Sequence, residues 1–294
     1  MILVTGATGN VGNPLLHELQ QAKMPYRAAV RDPVQAAQRH GNHPWVKFDF
    51  QNPDTYARAL EGVNQVFVVL PPGQGSLKVR MYPFLDHCAH RKIEHMVYLS
   101  LLGAPQNPAA PHHQIEKHLQ NLPLTASFLR ASFFMQNLMT THREEVIDGH
   151  LKMPAGHGRT SFVDTRDIAR AAKQLFKHPP SETRGYDLTG SEALTYFEVA
   201  EILSRELGRN IKYDNPGLFE FVQHWRQKNT KWDFIMIMMV IYTTARLGRA
   251  GRVSTDLQDL LGTPPTTFAE FARDMQSCWP PRIQTQEKNH ALQP

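Results

Sequence analysis

A doubly wound, parallel α/β sheet followed by a smaller, mostly helical C-terminal lobe is the fold class the sequence predicts, on three observations. Short apolar runs alternate with helical periods as far as Leu129; a glycine-rich turn follows the first of these runs; and beyond Asn137 the strand signals give way to helical ones. A chain of 294 residues is long enough for one large core plus such a lobe.

The elements follow in order. Ile2 to Thr5 reads as a buried strand, and after the glycine turn a helix carries Val11, Leu15, Leu19 and Ala22 on one face. Tyr26 to Val30 is the second strand and closes a βαβ unit. Further strands are predicted at Val46 to Phe50, Val66 to Leu70, Met96 to Ser100 and Ser127 to Leu129, which makes six in all. The helix before the fifth strand shows its period in Met81, Phe84, Leu85, Cys88 and Ala89, and the next in Ile115, Leu119 and Leu122. Gly149, Pro154, Gly156 and Gly158 mark a loop or a crossing to the lobe. Asp164 and Asp167 then suit the cap and first turn of a helix bearing Ile168, Ala172, Leu175 and Phe176, which is expected to return to the sheet. Thr195 and Glu198 form a capping box before Val199, Leu203 and Leu207, with Gly208 as the stop. The predicted organisation is a nucleotide-binding domain over residues 1–150, a mixed region with the lobe over 151–279, and a disordered tail over 280–294.

Composition removes several function classes. The net charge of +5 comes from scattered Lys and Arg with no basic run, so nucleic acid is not expected as a partner; Arg246, Arg249 and Arg252 read as a solvated helix end. Fifteen His residues include no HExxH or paired spacing, and Cys88 and Cys278 belong to no cluster, so no metal is expected. The longest apolar run, Phe234 to Tyr242, is about half a membrane span. Met1 leads directly into Ile2-Leu3-Val4 without a basic stretch or a cleavage site, which gives the expectation of no signal peptide and a cytoplasmic location.

Gly6, Gly9 and Gly12, with Thr8, Asn10 and Val11 between them, occupy the turn between the first strand and its helix. Such a turn lets the backbone approach a pyrophosphate, whose charge the helix N-terminus meets, and the domain is therefore read as Rossmann-type. At the end of the second strand an acid selects the ribose hydroxyls of NAD(H), whereas an arginine pairs with the 2′-phosphate of NADP(H). Here Arg31 precedes Asp32, so NADP(H) is the favoured cofactor, with Asp32 free to cap the next helix. The alternative keeps Arg31 as a solvated loop residue, puts Asp32 on the ribose and makes NAD(H) the ligand.

Ordered segments along residues 1 to about 275 resemble the NmrA-like family of atypical short-chain dehydrogenases/reductases, in particular its quinone oxidoreductase type 2-like and azoreductase-like members. The carriers are MILVTGATGNVG, AAVRDP, VYLSLLGA, QIEKHL through SFLRASFFMQNL, SFVDTRDIA, YDLTGSEALTYFEVAEILSRELGR and VSTDLQDLLGTPPTTFAEFA. The resemblance implies that Leu70 and Pro71 border the cofactor, that Asp49 and Phe50 lie near adenine, and that Phe133 to Asn137 lie near nicotinamide. Ala131 stands where the family carries Pro.

A typical member of the wider superfamily uses Ser with Tyr-x-x-x-Lys, the Lys lowering the Tyr pKa so that the phenol protonates a carbonyl oxygen. Ser100 fits the Ser position, His112 falls at the Lys position and Pro108 at the Tyr position. A second register sets His113 and Lys117 as a His-x-x-x-Lys pair, and neither restores the full set. His112 and Ser100 are thus the catalytic candidates, His112 with the nicotinamide ribose or the substrate as its partner. Phe133, Phe134, Met135 and Asn137 are the substrate candidates; Met236, Met238, Met239 and Tyr242 could add an apolar wall or serve core or dimer packing. Two functions remain open: an NADPH-dependent reductase of quinone-like or other conjugated aromatic acceptors, or an NADP(H)-binding redox sensor and transcriptional regulator acting through a protein partner. The chain is expected to be a monomer or a homodimer.

Overall fold

The computed structural model describes residues 1–71 and 76–282. The chain divides into two compact units, one of Met1–Gln136, Thr160–Leu194 and Ala250–Phe268, the other of Asn137–Arg159, Thr195–Arg249 and Ala269–Pro294. The division begins at Asn137 and not at the expected residue 150, and two later segments return to the first unit. Most of the tail expected over 280–294 lies outside the described residues.

The first unit is built on β1 (Ile2–Val4), β2 (Tyr26–Val30), β3 (Trp45–Lys47), β4 (Gln65–Val69), β5 (His95–Leu101) and β6 (Thr125–Ala131). The chain order continues with β7 (His150–Leu151) and β9 (Lys212–Tyr213), which pair in the second unit, and β8 (Arg184–Leu188), which joins the first. The large sheet runs β3-β2-β1-β4-β5-β6-β8, and all its pairings are parallel. This is the Rossmann-type arrangement, with its reversal of strand order between β1 and β4.

Period-two alternation builds two cores from one sheet. Phe67, Val97 and Leu99 face the helices Gly12–Gln21 and Thr165–Lys177, where they meet Leu15, Leu19, Ile168 and Leu175. Val66, Val68, Met96 and Tyr98 face the opposite layer, with Phe84, Cys88, Ile115 and Leu119 from the helices Tyr82–His90 and Pro111–Gln120. Both faces are covered, as a parallel sheet requires.

The sheet has seven strands where six were expected. Arg-Gly-Tyr-Asp-Leu at β8 contains no apolar run, because an edge strand buries only alternate residues, here Tyr186 and Leu188. Ala131 pairs with both Leu101 and Leu188, and a proline at this position would interrupt the ladder. Asp164 caps the helix Thr165–Lys177 by accepting from the Arg166 N–H.

In the second unit the helix Tyr196–Leu207 opens on the expected Thr195/Glu198 capping box and stops at Gly208, whose φ is 63°. Phe221 and Trp225, from the helix Leu218–Gln227, are buried, as are Ile235, Met238 and Tyr242 from Trp232–Arg246. The 234–242 segment therefore gives residues at helical spacing of three and four to the core, while Phe234, Met236 and Ile237 are exposed. A buried carboxylate also holds this unit: Glu145 is bonded at 2.7 Å by both His142 Nδ1 and His224 Nε2, and Lys228 Nζ lies 3.4 Å away. Its carboxyl pKa is lowered, the histidine and lysine contacts outweighing the burial that opposes them.

Candidate cofactor and substrate site

The phosphate loop is shaped by the space its glycines leave. Gly6 has φ 61°, a left-handed conformation that side chains resist, and a Cβ on Gly12 would lie 2.1 Å from the Gly6 carbonyl oxygen. Gly9 is less confined, its Cβ position being 3.2 Å from the same oxygen. The Gly9 N–H donates to the Gly6 carbonyl at 2.9 Å, which closes the turn. Gly6, Thr8, Gly9 and Asn10 are exposed, while Val11 and Gly12 are buried at the start of the helix Gly12–Gln21. No side chain among the described residues caps that helix, so its first N–H groups have no side-chain acceptor there.

Beneath the loop, the buried Thr5 hydroxyl donates to the Phe67 carbonyl at 3.0 Å and accepts from the Val69 N–H at 3.1 Å. It ties the ends of β1 and β4 together at the reversal of strand order, where ligands of doubly wound sheets bind.

At the end of β2 the two charges separate. Asp32 accepts from the Gln35 N–H at 3.0 Å and caps the helix Pro33–His40. Arg31 is exposed and has no ion-pair partner among the described residues.

Because the sheet is parallel, the other candidates of this unit also follow or approach carboxyl ends of strands. Asp49 and Phe50 follow β3; Asp49 accepts from the Gln51 N–H at 3.0 Å. Phe50 is 9% exposed and packs edge-on against Phe48 and Phe84, so its side chain belongs to the core. Leu70 and Pro71 follow β4, and the Pro71 carbonyl accepts from Arg80 at 3.1 Å. Phe133, Phe134 and Met135 follow β6. Phe133 meets Phe162 edge-on, Phe134 bridges to Val163, and Met135 is buried at 2% exposure. Asn137 belongs to the second unit, where its carbonyl accepts from the His142 N–H.

The catalytic candidates lie in a network that sequence reasoning left incomplete. Ser100 is buried and donates to Glu116 at 2.6 Å, and Arg130 grips the same carboxylate with Nε at 3.1 Å and Nη2 at 2.7 Å. The Ser100 hydroxyl proton is therefore engaged by the carboxylate, which leaves its oxygen lone pairs as the group able to accept a further hydrogen bond. Gly185 on β8 makes room for Arg130, since a Cβ there would stand 2.3 Å from the guanidinium. His112 lies in the first turn of the helix Pro111–Gln120, with its Nδ1 2.7 Å from the Tyr98 hydroxyl. Burial lowers the His112 pKa, against the opposing Glu116 charge, and burial with that charge pushes the Tyr98 phenol up. His113 Nδ1 is bound to the Ala104 carbonyl. Tyr98, Glu116 and Arg130 were not singled out as site residues. The available signals were the shared strand face of Tyr98 and Ser100 and the i, i+4 spacing of His112 and Glu116.

Among the described residues, no group of three or more His, Cys, Asp or Glu could hold a metal, and no helix is long and apolar enough to cross a membrane.

A family model described as the NmrA-like family matches residues 1–271. The chain is 31% identical over 280 residues to the NAD(P)H azoreductase of Xenophilus azovorans, covering 93% of this chain and 97% of that one. It is similar in fold to the Citrobacter sp. triphenylmethane reductase solved with NADP(H), at a TM-score of 0.81 and 23% identity, covering 93% and 99% of the two chains. The NADPH complex of quinone oxidoreductase QOR2 from Escherichia coli gives a TM-score of 0.82 at 24% identity, covering 94% and 99%. With a family match over nearly its whole length and a relative above 30% identity, this chain belongs to the NmrA-like family.

Proposed function

We propose that the protein is an NADPH-dependent reductase of quinone-like or other conjugated aromatic acceptors. The observation that carries this reading is the pairing of the uncapped glycine loop with the freed Arg31. Asp32 is occupied as a helix cap, which leaves the guanidinium as the group at the end of β2 able to meet a 2′-phosphate. The loop fits a pyrophosphate because Gly6 and Gly12 hold a contour that side chains would fill. The azoreductase relative supports the acceptor class.

The bound cofactor supplies a hydride, and the acceptor gains that hydride plus one proton. Within the reaction, the chain's residues bind and orient. The loop and Arg31 hold the phosphates, Thr5 fixes the crevice between β1 and β4, and the Phe133–Met135 segment provides apolar surface for a flat ring. The chain lacks the Tyr-x-x-x-Lys pair at its expected places, which suits electron-poor acceptors that require no strong acid at the reacting atom. A cytoplasmic location and a substrate-selecting role for the helical unit complete the reading.

The test is direct. Arg31→Ala should raise the Kd for NADPH about 10- to 100-fold, corresponding to roughly 1.5–3 kcal/mol for a hydrogen bond to a charged group, and leave NADH binding nearly unchanged. The wild type should oxidise NADPH at a rate that saturates with naphthoquinones or azo dyes. Equal loss for both cofactors would overturn the NADP(H) assignment. Tight NADPH binding without turnover across a broad acceptor panel would instead favour the sensor.

A further inference from the structure

The imidazole of His112 is bound on one side and open on the other. Its Nδ1 faces the Tyr98 hydroxyl at 2.7 Å, whereas Nε2 has no protein partner among the described residues and is not sealed from solvent. Tyr98 is fully buried on β5, and His112 is the one hydrogen-bond partner of its hydroxyl among the described residues.

Those facts select a tautomer. If the proton of the neutral ring sat on Nδ1, it would donate to the Tyr98 oxygen, and the phenolic proton would be buried with no acceptor. That arrangement is disfavoured on the order of tenfold or more. If the proton sits on Nε2, the phenol donates to Nδ1 and both groups are satisfied.

We infer that Tyr98 is a positioning residue that locks His112 in its Nε2–H tautomer. His112 then presents a fixed hydrogen-bond donor to the acceptor heteroatom that gains negative charge as hydride arrives. The inference rests on the proposed reductase reading and assigns a chemical role to the position where the usual lysine is missing.

The atoms balance without the histidine giving up its proton. Hydride from NADPH adds to one end of the conjugated acceptor, the electron pair moves onto its oxygen or nitrogen, and solvent supplies the proton that completes the reduced product. The Nε2–H bond lowers the energy of the charged intermediate stage, as a neutral imidazole does when it acts as an electrophile.

The surroundings agree with a neutral ring. The charged group that acts on His112 is Glu116, four residues along the same helix, and its carboxylate is already gripped by Arg130 from β6 and bonded by Ser100 from β5. Tyr98 is the group facing the ring from β5, and burial keeps it protonated.

The experiment combines a spectrum with kinetics. The protein is labelled with ¹⁵N-histidine, and long-range ¹H–¹⁵N correlation is recorded without cofactor from pH 7 to 9; His112→Phe identifies the signal. The expected result is a neutral, Nε2-protonated ring throughout, with Tyr98→Phe giving a tautomer mixture. An Nδ1–H ring or an imidazolium at pH 7 would overturn the lock, and the wild-type spectrum alone decides this if Tyr98→Phe does not fold. In turnover with a naphthoquinone, kcat should be flat over the same range. His112→Phe should lower it on the order of a hundredfold with NADPH affinity largely kept, and His112→Gln should recover part of the loss. An unchanged kcat in His112→Phe would overturn the donor role. If the wild type turns over no acceptor, the reductase reading fails, while the spectrum still decides the Tyr98 lock.

Discussion

The phosphate loop makes a graded prediction, because its three glycines are confined to different degrees. In Gly12→Ala the new Cβ would lie 2.7 Å from the Gly6 carbonyl carbon and 2.1 Å from its oxygen, the latter more than 1 Å inside ordinary contact at 3.4 Å. These neighbours are backbone, so the turn itself must move. A displacement of that size misaligns the N–H groups facing a phosphate, and each charge-assisted bond lost weakens binding by about 1.5–3 kcal/mol. The expected outcome is a rise of at least 100-fold in the Kd for NADPH, with about 1–3 kcal/mol of overpacking lost from stability. Gly6→Ala should be intermediate. It meets Val69 at 3.2 Å, and the left-handed conformation costs about 1–2 kcal/mol. Gly9→Ala, facing one oxygen at 3.2 Å, should be mildest. Gly41→Ala is the control, since its φ of 82° is strained but nothing lies within 4 Å, so it should lose stability and keep its NADPH affinity. Isothermal titration calorimetry of the four variants, with thermal unfolding alongside, measures the order. Equal affinities for Gly9→Ala and Gly12→Ala, or wild-type binding by Gly12→Ala, would refute the reasoning.

Two further predictions concern stability. Buried His95 bonds Ser127 through Nε2 at 2.9 Å, its Nδ1 has no partner among the described residues, and burial lowers its pKa from 6.5 to about 4. Its stabilising contribution is therefore complete above pH 6.5 and is lost as the pH falls towards 4, about 2 kcal/mol of it by pH 5 at roughly 1.36 kcal/mol per unit. Urea unfolding at pH 7 and pH 5 should show that much less acid sensitivity in the His95→Leu, Ser127→Ala double variant than in the wild type; equal sensitivity would contradict it. In the second unit, Glu145→Ala strips two histidines and Lys228 of a carboxylate only 2% exposed, and should cost about 3 kcal/mol. Thermal unfolding checks this, and a shift of under a degree would show that the cluster is dispensable.

The missing Tyr-x-x-x-Lys pair can be understood through what replaced it. Ser100 bonds Glu116, and Arg130 holds the carboxylate in two-pronged fashion in space left by Gly185. The titratable groups beside His112 are therefore already engaged.

The sequence by itself determined the features that depend on local geometry. The glycine turn, the Asp32 and Thr195 caps, the Gly208 stop and the strand at Tyr26–Val30 all follow from backbone conformation and side-chain period within a few residues. Only the tertiary structure decided the partners. The seventh strand lacks an apolar run and exists because β6 offers it an edge; the second unit interrupts the first because the chain returns at Thr160 and Ala250. The bonds from Tyr98 to His112 and from Ser100 and Arg130 to Glu116 join residues 14 to 16 positions apart. Sheet register and helix docking set those distances, and neither is written in the period of any one segment.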